Sequence, residues 1–227
     1  MKKKALRKDF YMEVKKSLNR FISIFLIVAL GVAFYSGIQS AAPDMRYSGD
    51  AYFDQHQLMD VKIMSTMGLT KKDVEAIGQT AGVELTEPGY MTDVLCQKGT
   101  DQYALRVESI TPTLNQLTAA KGRLPKNAGE CFVDIEFLEK AGYSVGDTIT
   151  FFREDEDAYK LKEKEFTIVG AGSSPLYISF NRGNTTLGTG ELAGAVYVLP
   201  KDFDYEVYTT VYVKVKAADN LTAYTDA

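Results

Sequence analysis

His56 is the only histidine in this chain of 227 residues, and Cys96 and Cys131 are its only cysteines. A single imidazole argues against His-based triads and most zinc sites. Two cysteines are too few for a disulfide scaffold; they could pair in an oxidising compartment, but both lie in apolar, strand-like runs (Val94-Leu95-Cys96 and Cys131-Phe132-Val133), so two separate buried thiols are expected. Ser173 and Ser174 have no base in the neighbourhood. Glu154-Asp155-Glu156-Asp157 offers four carboxylates, but in succession, without the alternating ligands and glycine of a calcium loop, and reads as a solvated hairpin tip. Gly170-Ala171-Gly172 follows a strand as a nucleotide-binding turn would, yet no third glycine has the required spacing and Pro175 blocks the helix start. Gly183 to Gly190 is glycine-rich but lacks the Gly-Lys-Ser/Thr of a phosphate loop, and 172–193 reads as a flexible loop. Asn184-Thr185-Thr186 and Asn220-Leu221-Thr222 fit the glycosylation pattern no more often than chance allows. No catalytic, cofactor or metal constellation emerges. The chain is expected not to be an enzyme, and any ATP chemistry must come from another chain.

The elements that carry these residues are ordered around a membrane. From Phe21 to Pro43 there is no charged side chain. A helix rising about 1.5 Å per residue crosses a hydrocarbon core of roughly 30 Å in about 20 residues. In the first twenty residues Lys2, Lys3, Lys4, Arg7, Lys8, Lys15, Lys16 and Arg20 face only Asp9 and Glu13, a net charge of +6. The positive-inside bias therefore places the N-terminus in the cytoplasm and the chain beyond residue 43 on the far side. The remainder holds 18 basic and 28 acidic residues, net −10, which suits an extracytoplasmic domain and argues against nucleic acid as a partner.

A cleaved secretory signal also has a basic lead and an apolar core, but about 7 to 15 apolar residues suffice there, and Pro43 would follow the cut after Ala42 directly. Ala29, Ala33, Gly37 and Ala41 recur every four residues and form a candidate helix-packing face, since small side chains let another transmembrane backbone approach closely. A retained anchor over 21–42 is expected. Ahead of it, Leu6, Phe10, Val14, Leu18 and Ile22 repeat at i+4 with Lys8, Lys15 and Lys16 off the stripe. Residues 1–20 therefore read as a basic amphipathic helix able to rest in the headgroup layer.

About 185 residues lie beyond the anchor, enough for one domain or two small lobes. Residues 42–58, with Pro43, Gly49 and Asp50, read as a polar exit from the membrane. Strands are expected at 61–65, 83–85, 90–97, 102–110, 131–135, 148–153, 160–169, 194–199 and 207–215. Thr70-Lys71-Lys72-Asp73 matches a capping box that opens one helix, and a second runs from Glu136 to Gly142. Strands mixed with two short helices give an α+β class.

In order, these segments resemble the N-terminal portion of FtsX-like ABC transporter permeases of the large Gram-positive type, with a MacB-like extracytoplasmic core domain. The resemblance rests on Asn19-Arg20-Phe21-Ile22-Ser23-Ile24, Ser40 to Arg46, Leu58-Met59-Asp60, Gly68-Leu69-Thr70 and Glu87-Pro88-Gly89-Tyr90. It continues in Gly122-Arg123-Leu124-Pro125, Gly129-Glu130 and Gly146-Asp147-Thr148-Ile149, and spans nearly the whole chain. It implies a two-lobed domain over 43–227: a mixed α/β lobe starting near Asp60 and resuming near Val207, with a β-rich lobe inserted at about 122–199. It also implies partners: the lipid membrane, a cytoplasmic ABC ATPase subunit and the remaining permease helices. ATP hydrolysis by that subunit would move the helices, which work the outer domain, on substrates ranging from lipids and lipoproteins to peptides and toxins. A complete permease of this type has at least three more spans than the one before Ala227, so the chain is expected to be a fragment, the product of a truncated gene, or an orphan half. The alternative is a stand-alone membrane-anchored binding or assembly module.

Overall fold

The structure, a computed structural model, describes residues 2–179 and 181–223, and leaves the side chains of residues 2–4 and 14 undescribed. Val14 of the expected stripe and the three leading lysines are therefore described by their backbone alone. The chain divides into one unit reaching to Asp50 and a second running from Ala51 to Leu221.

The first unit is helical. Helix α1 spans Lys2–Lys16 and helix α2 spans Leu18–Gln55. The side chains of Leu6, Phe10, Leu18 and Ile22 are exposed. So are Phe25, Leu26, Ile27, Leu30, Val32 and Phe34 around the circumference of α2. α2 is apolar around its circumference here, and it is long and apolar enough to cross a membrane.

Most of the segment expected as a polar exit is helical: α2 runs through Pro43 without a break and ends only at Gln55. Its 38 residues make roughly 57 Å at about 1.5 Å per residue, well beyond a bilayer core. Proline fixes φ at a helical value and removes one N–H, so a helix can continue through it at the loss of one bond. Polarity marked the end of the apolar stretch and not the end of the helix.

The second unit is an α+β domain. Its elements are β1 Val61–Leu69, α3 Lys71–Gly78, β2 Val83–Gly89, β3 Met91–Lys98, β4 Asp101–Ser109 and β5 Thr118–Gly122. They continue as β6 Glu130–Asp134, α4 Ile135–Ala141, β7 Thr148–Phe152, β8 Glu165–Ser173, β9 Gly194–Val198 and β10 Tyr208–Val215. The capping box forms as the sequence implies: Asp73 N–H donates to Thr70 Oγ1 at 3.4 Å, and Thr70 N–H donates to Asp73 Oδ2 at 2.7 Å. The end of α4 is equally local, with Gly142 in the left-handed conformation at φ 70°.

Two sheets result. The smaller has the order β1-β10-β2, antiparallel throughout, with α3 packed beside β2. The larger has the order β5-β8-β6-β9-β4-β3-β7, and β7 pairs again with β8, so six strands close into a ring with β5 attached to β8. Period-2 alternation builds its core: Ile149 and Phe151 of β7 and Phe166 and Ile168 of β8 are buried, while Thr148, Thr150, Glu165 and Thr167 are exposed. Phe137 and Leu138 of α4 join Val94, Leu105, Val133 and Val196 in that core.

The β-rich lobe is wider than 122–199. It takes in β3, β4 and β5 because β4 pairs in parallel with β9 and β3 with β7, pairings remote in sequence. The strand expected at 160–169 lies at Glu165–Ser173, and β5 was not foreseen.

Candidate functional site

The chain leaves α2 through an unusual piece of backbone. Gln57 has φ 49° and Asn115 has φ 53°, and with Ala217 they are the non-glycine residues in the left-handed region among those described. Asn115 N–H donates to Gln57 O at 2.8 Å, and Gln116 N–H donates to His56 O at 2.8 Å. His56 Nδ1 lies 3.1 Å from Gln116 O; a carbonyl only accepts, so Nδ1 carries the proton there. Asn115 Oδ1 accepts from Met59 N–H at 3.1 Å, and the His56 ring sits 4.4 Å from that of Tyr52. The lone histidine is thus part of a clasp between the end of the membrane helix and the β4–β5 loop. Sequence reasoning missed this role; the one local signal was an asparagine, the residue that best tolerates this conformation after glycine.

Both sides of the clasp are tied down. Glu87 of β2 accepts from Thr113 N–H at 2.9 Å and Leu114 N–H at 2.9 Å, which fixes the loop. Lys214 of β10 lies 2.5 Å from Asp219, 3.9 Å from Asp60 and 3.4 Å from Leu58 O, which fixes the 58–60 linker. Burial would lower the Lys214 pKa, but Asp219, Asp60 and Asp54 together outweigh it and raise it. Asp60 also accepts from Val215 N–H at 2.7 Å.

A second polar node joins the two sheets. Glu108 of β4, 1% exposed, accepts from Lys62 Nζ of β1 at 3.3 Å and from the Tyr177 hydroxyl at 2.9 Å. Burial, then the Glu108 charge, push the Tyr177 phenol well above its ordinary value.

Arg182 anchors the 174–193 loop. Its guanidinium donates to Asp134 at 2.6 Å, to Glu136 at 2.9 Å, and to the carbonyls of Tyr177 and Ser179. Beside it lies a cleft of about 180 Å³ lined by Tyr52, Asp134, Glu136, Ser174, Tyr177 and Tyr197 among others. Both of its carboxylates, Asp134 and Glu136, are paired to Arg182. Among the described residues of 174–193 the one bridge joins Asn184 to Glu191.

The remaining candidates resolve into structure. Gly170 and Gly172 sit where β5 crosses β8: a Cβ on Gly172 would overlap the Thr118 carbonyl oxygen, and one on Gly170 the Arg123 backbone. The glycines serve close strand approach. Within the acid run, Asp155 accepts from Asp157 N–H and Glu156 pairs with Lys164 at the surface. Among the described residues no cluster could hold a metal ion. Cys96 and Cys131 are buried and unpaired. Burial pushes the Cys96 thiol up to about 12, and burial followed by Asp202 pushes Cys131 higher still. Ala29, Ala33, Gly37 and Ala41 lie along α2; all but Ala29, which is half-buried, are exposed, and a Cβ on Gly37 would meet nothing.

These features define a class: an apolar helix long enough to span a membrane, followed in the chain by an α+β domain made of a small sheet and a closed β ring. Several solved structures are similar to the chain. One is the extracellular domain of the noncanonic ABC-type transporter YknZ from Gram-positive bacteria, at 12% identity over 69% of this chain and 78% of that one, TM-score 0.43. Another is the periplasmic region of MacB from Actinobacillus actinomycetemcomitans, at 12% identity over 73% and 69%, TM-score 0.39. A third is a domain ascribed to a permease protein from Porphyromonas gingivalis, at 11% identity over 72% and 77%, TM-score 0.41. No family model matches the chain, and no curated protein matches it.

Proposed function

We propose that the chain is the N-terminal part of the membrane permease subunit of an ABC transporter. In this reading a separate ATPase subunit hydrolyses ATP in the cytoplasm, α2 carries the resulting movement, and the α+β domain outside the membrane is what moves. The observation that carries the proposal is the clasp: α2 is longer than a bilayer core requires, and the chain just beyond its end at Gln55 is bonded, through His56 and Gln57, to the β4–β5 loop. A flexible tether would serve a mere anchor; a helix whose end is bonded into its domain transmits displacement. The basic lead supports a cytoplasmic N-terminus through the positive-inside bias. Ala29, Ala33, Gly37 and Ala41 would seat further permease helices.

The test is purification of the full chain from its native membrane, followed by ATPase assay. A co-purifying ATPase subunit is expected, and inserting two glycines after Gln57 should uncouple its hydrolysis from transport while leaving the complex assembled. A chain that purifies from native membranes without an ATPase would instead be a stand-alone anchored module.

A further inference from the structure

Two stretches of chain cross between the small sheet and the β ring: Tyr90, which lies between β2 and β3, and residues 199–207, between β9 and β10. Tyr90 N–H donates to Ser109 Oγ at 2.9 Å and Ser109 N–H donates to Tyr90 O at 2.9 Å, which ties the first crossing to the end of β4. Met91 N–H, at the start of β3, donates to Thr209 Oγ1 of β10 at 2.7 Å. Asp202, 2% exposed, ties the second crossing to the ring lobe: its Oδ1 accepts from Gly129 N–H at 3.1 Å and its carbonyl from Lys162 N–H at 2.9 Å. Aromatic rings gather where the crossings meet. The Tyr90 ring centre lies 5.3 Å from that of Phe203, 5.9 Å from Tyr205 and 5.4 Å from Tyr208 of β10. Phe203 is itself buried in the core of the ring. From β1, Lys62 Nζ reaches Glu108 Oε1 at 3.3 Å and Met91 Sδ at 3.6 Å, and Met91 and Glu108 are register partners in β3 and β4.

We propose that these contacts lock the small sheet and the β ring into one rigid body, so that a displacement delivered to either lobe carries the other with it. Lobes joined by short connections move against each other unless an extensive apolar contact prevents it. Such movement needs a few residues at the connection that are free to change φ and ψ. Tyr90 is not free: both its N–H and its carbonyl are bonded, and its ring packs against three others in the offset and tilted arrangements that aromatic pairs favour. Gly89, the one glycine in or beside either crossing, serves packing: a Cβ there would meet Tyr212 Cε2 at 3.0 Å and Ser109 Oγ at 3.2 Å. The lock belongs to the domain and holds whether or not an ATPase drives it.

The test is a comparison of distance distributions, measured by pulsed double electron resonance on the full chain in detergent; the native cysteines stay in place because both are buried. Spin labels at Glu84→Cys of β2 and Thr150→Cys of β7 span the two lobes, and labels at Gln102→Cys of β4 and Ala120→Cys of β5 both lie on the larger sheet; all four positions are exposed. The distribution between lobes should be as narrow as the one within the larger sheet. A broader distribution, or one with two maxima, overturns the proposal. Tyr90→Ala should broaden the distribution between lobes and leave the other unchanged; Tyr208→Ala, which removes one ring from the cluster, takes its place if the first variant does not fold. An unchanged width between lobes in the folded variant overturns the proposal equally.

Discussion

Gln57 and Asn115 both hold left-handed backbone, at φ 49° and 53°, and are bonded to each other, Asn115 N–H to Gln57 O at 2.8 Å. For a residue with a Cβ this conformation costs about 1–2 kcal/mol, and it persists only where the surroundings over-determine it. Here they do: Glu87 grips the loop from one side and Lys214 grips the linker from the other. The strain is concentrated where the membrane helix hands over to the domain.

Replacing Asn115 separates backbone from side chain. Asn115→Gly keeps the left-handed turn and loses the bond to Met59 N–H, at about 1 kcal/mol. Asn115→Ala loses that bond and meets the left-handed penalty too, so it should be less stable than the glycine variant by about a further 1 kcal/mol. Chemical denaturation of the two variants measures the difference; equal stabilities would mean that the backbone there is unstrained.

Arg182 and Asp134 are both 8% exposed and 2.6 Å apart. Arg182→Leu strands the Asp134 charge in the protein and should destabilise the domain by about 3–5 kcal/mol. Arg182→Lys should recover only part of this, since an ammonium cannot also span Glu136 and two carbonyls. Faster proteolysis within 174–193 should accompany both changes, and an unchanged cleavage rate would show that Arg182 does not hold the loop.

Gly172→Ala should push β5 off β8, at about 1–3 kcal/mol, because the new methyl meets the Thr118 backbone and Phe132. Amide exchange in 118–122 would rise first. If exchange and stability stay as they are, close strand approach is not the reason for the glycine.

The cysteines give a pH prediction with a definite sign. The folded Cys96 thiol titrates at about 12 against an ordinary value of 9.0, so the folded state holds its proton more tightly. That contribution to stability is complete below about pH 9 and is lost progressively as pH rises toward 12. At pH 8 a thiol reagent should label neither native cysteine, and both only after denaturation. Labelling of the native protein would show a thiol open to solvent.

Much of this fold is local enough to read in a sequence. The Thr70–Asp73 capping box, the turn between β3 and β4 and the Gly142 stop of α4 each depend on a few neighbouring residues. What was not legible depends on distant partners. The strand Thr118–Gly122 is exposed on every residue and shows no period, and only β8 makes it a strand. β3 and β4 join the β ring through β7 and β9, about 55 and 90 residues onward. Helix α2 outlasts its apolar run because helicity and hydrophobicity are separate properties, and Pro43 reports on neither decisively. The clasp itself was invisible because Gln57 and Asn115 are ordinary surface residues until the fold brings them together.

In the proposed permease the α+β domain lies outside the membrane and is worked from the cytoplasmic side. The native cysteines are buried, so single introduced cysteines report cleanly. Met67, 92% exposed on β1, suits the far side and Lys8 the basic lead. In intact cells a membrane-impermeant maleimide should label Met67→Cys at once and Lys8→Cys only after permeabilisation. Labelling of Lys8→Cys in intact cells with Met67→Cys protected would contradict the account.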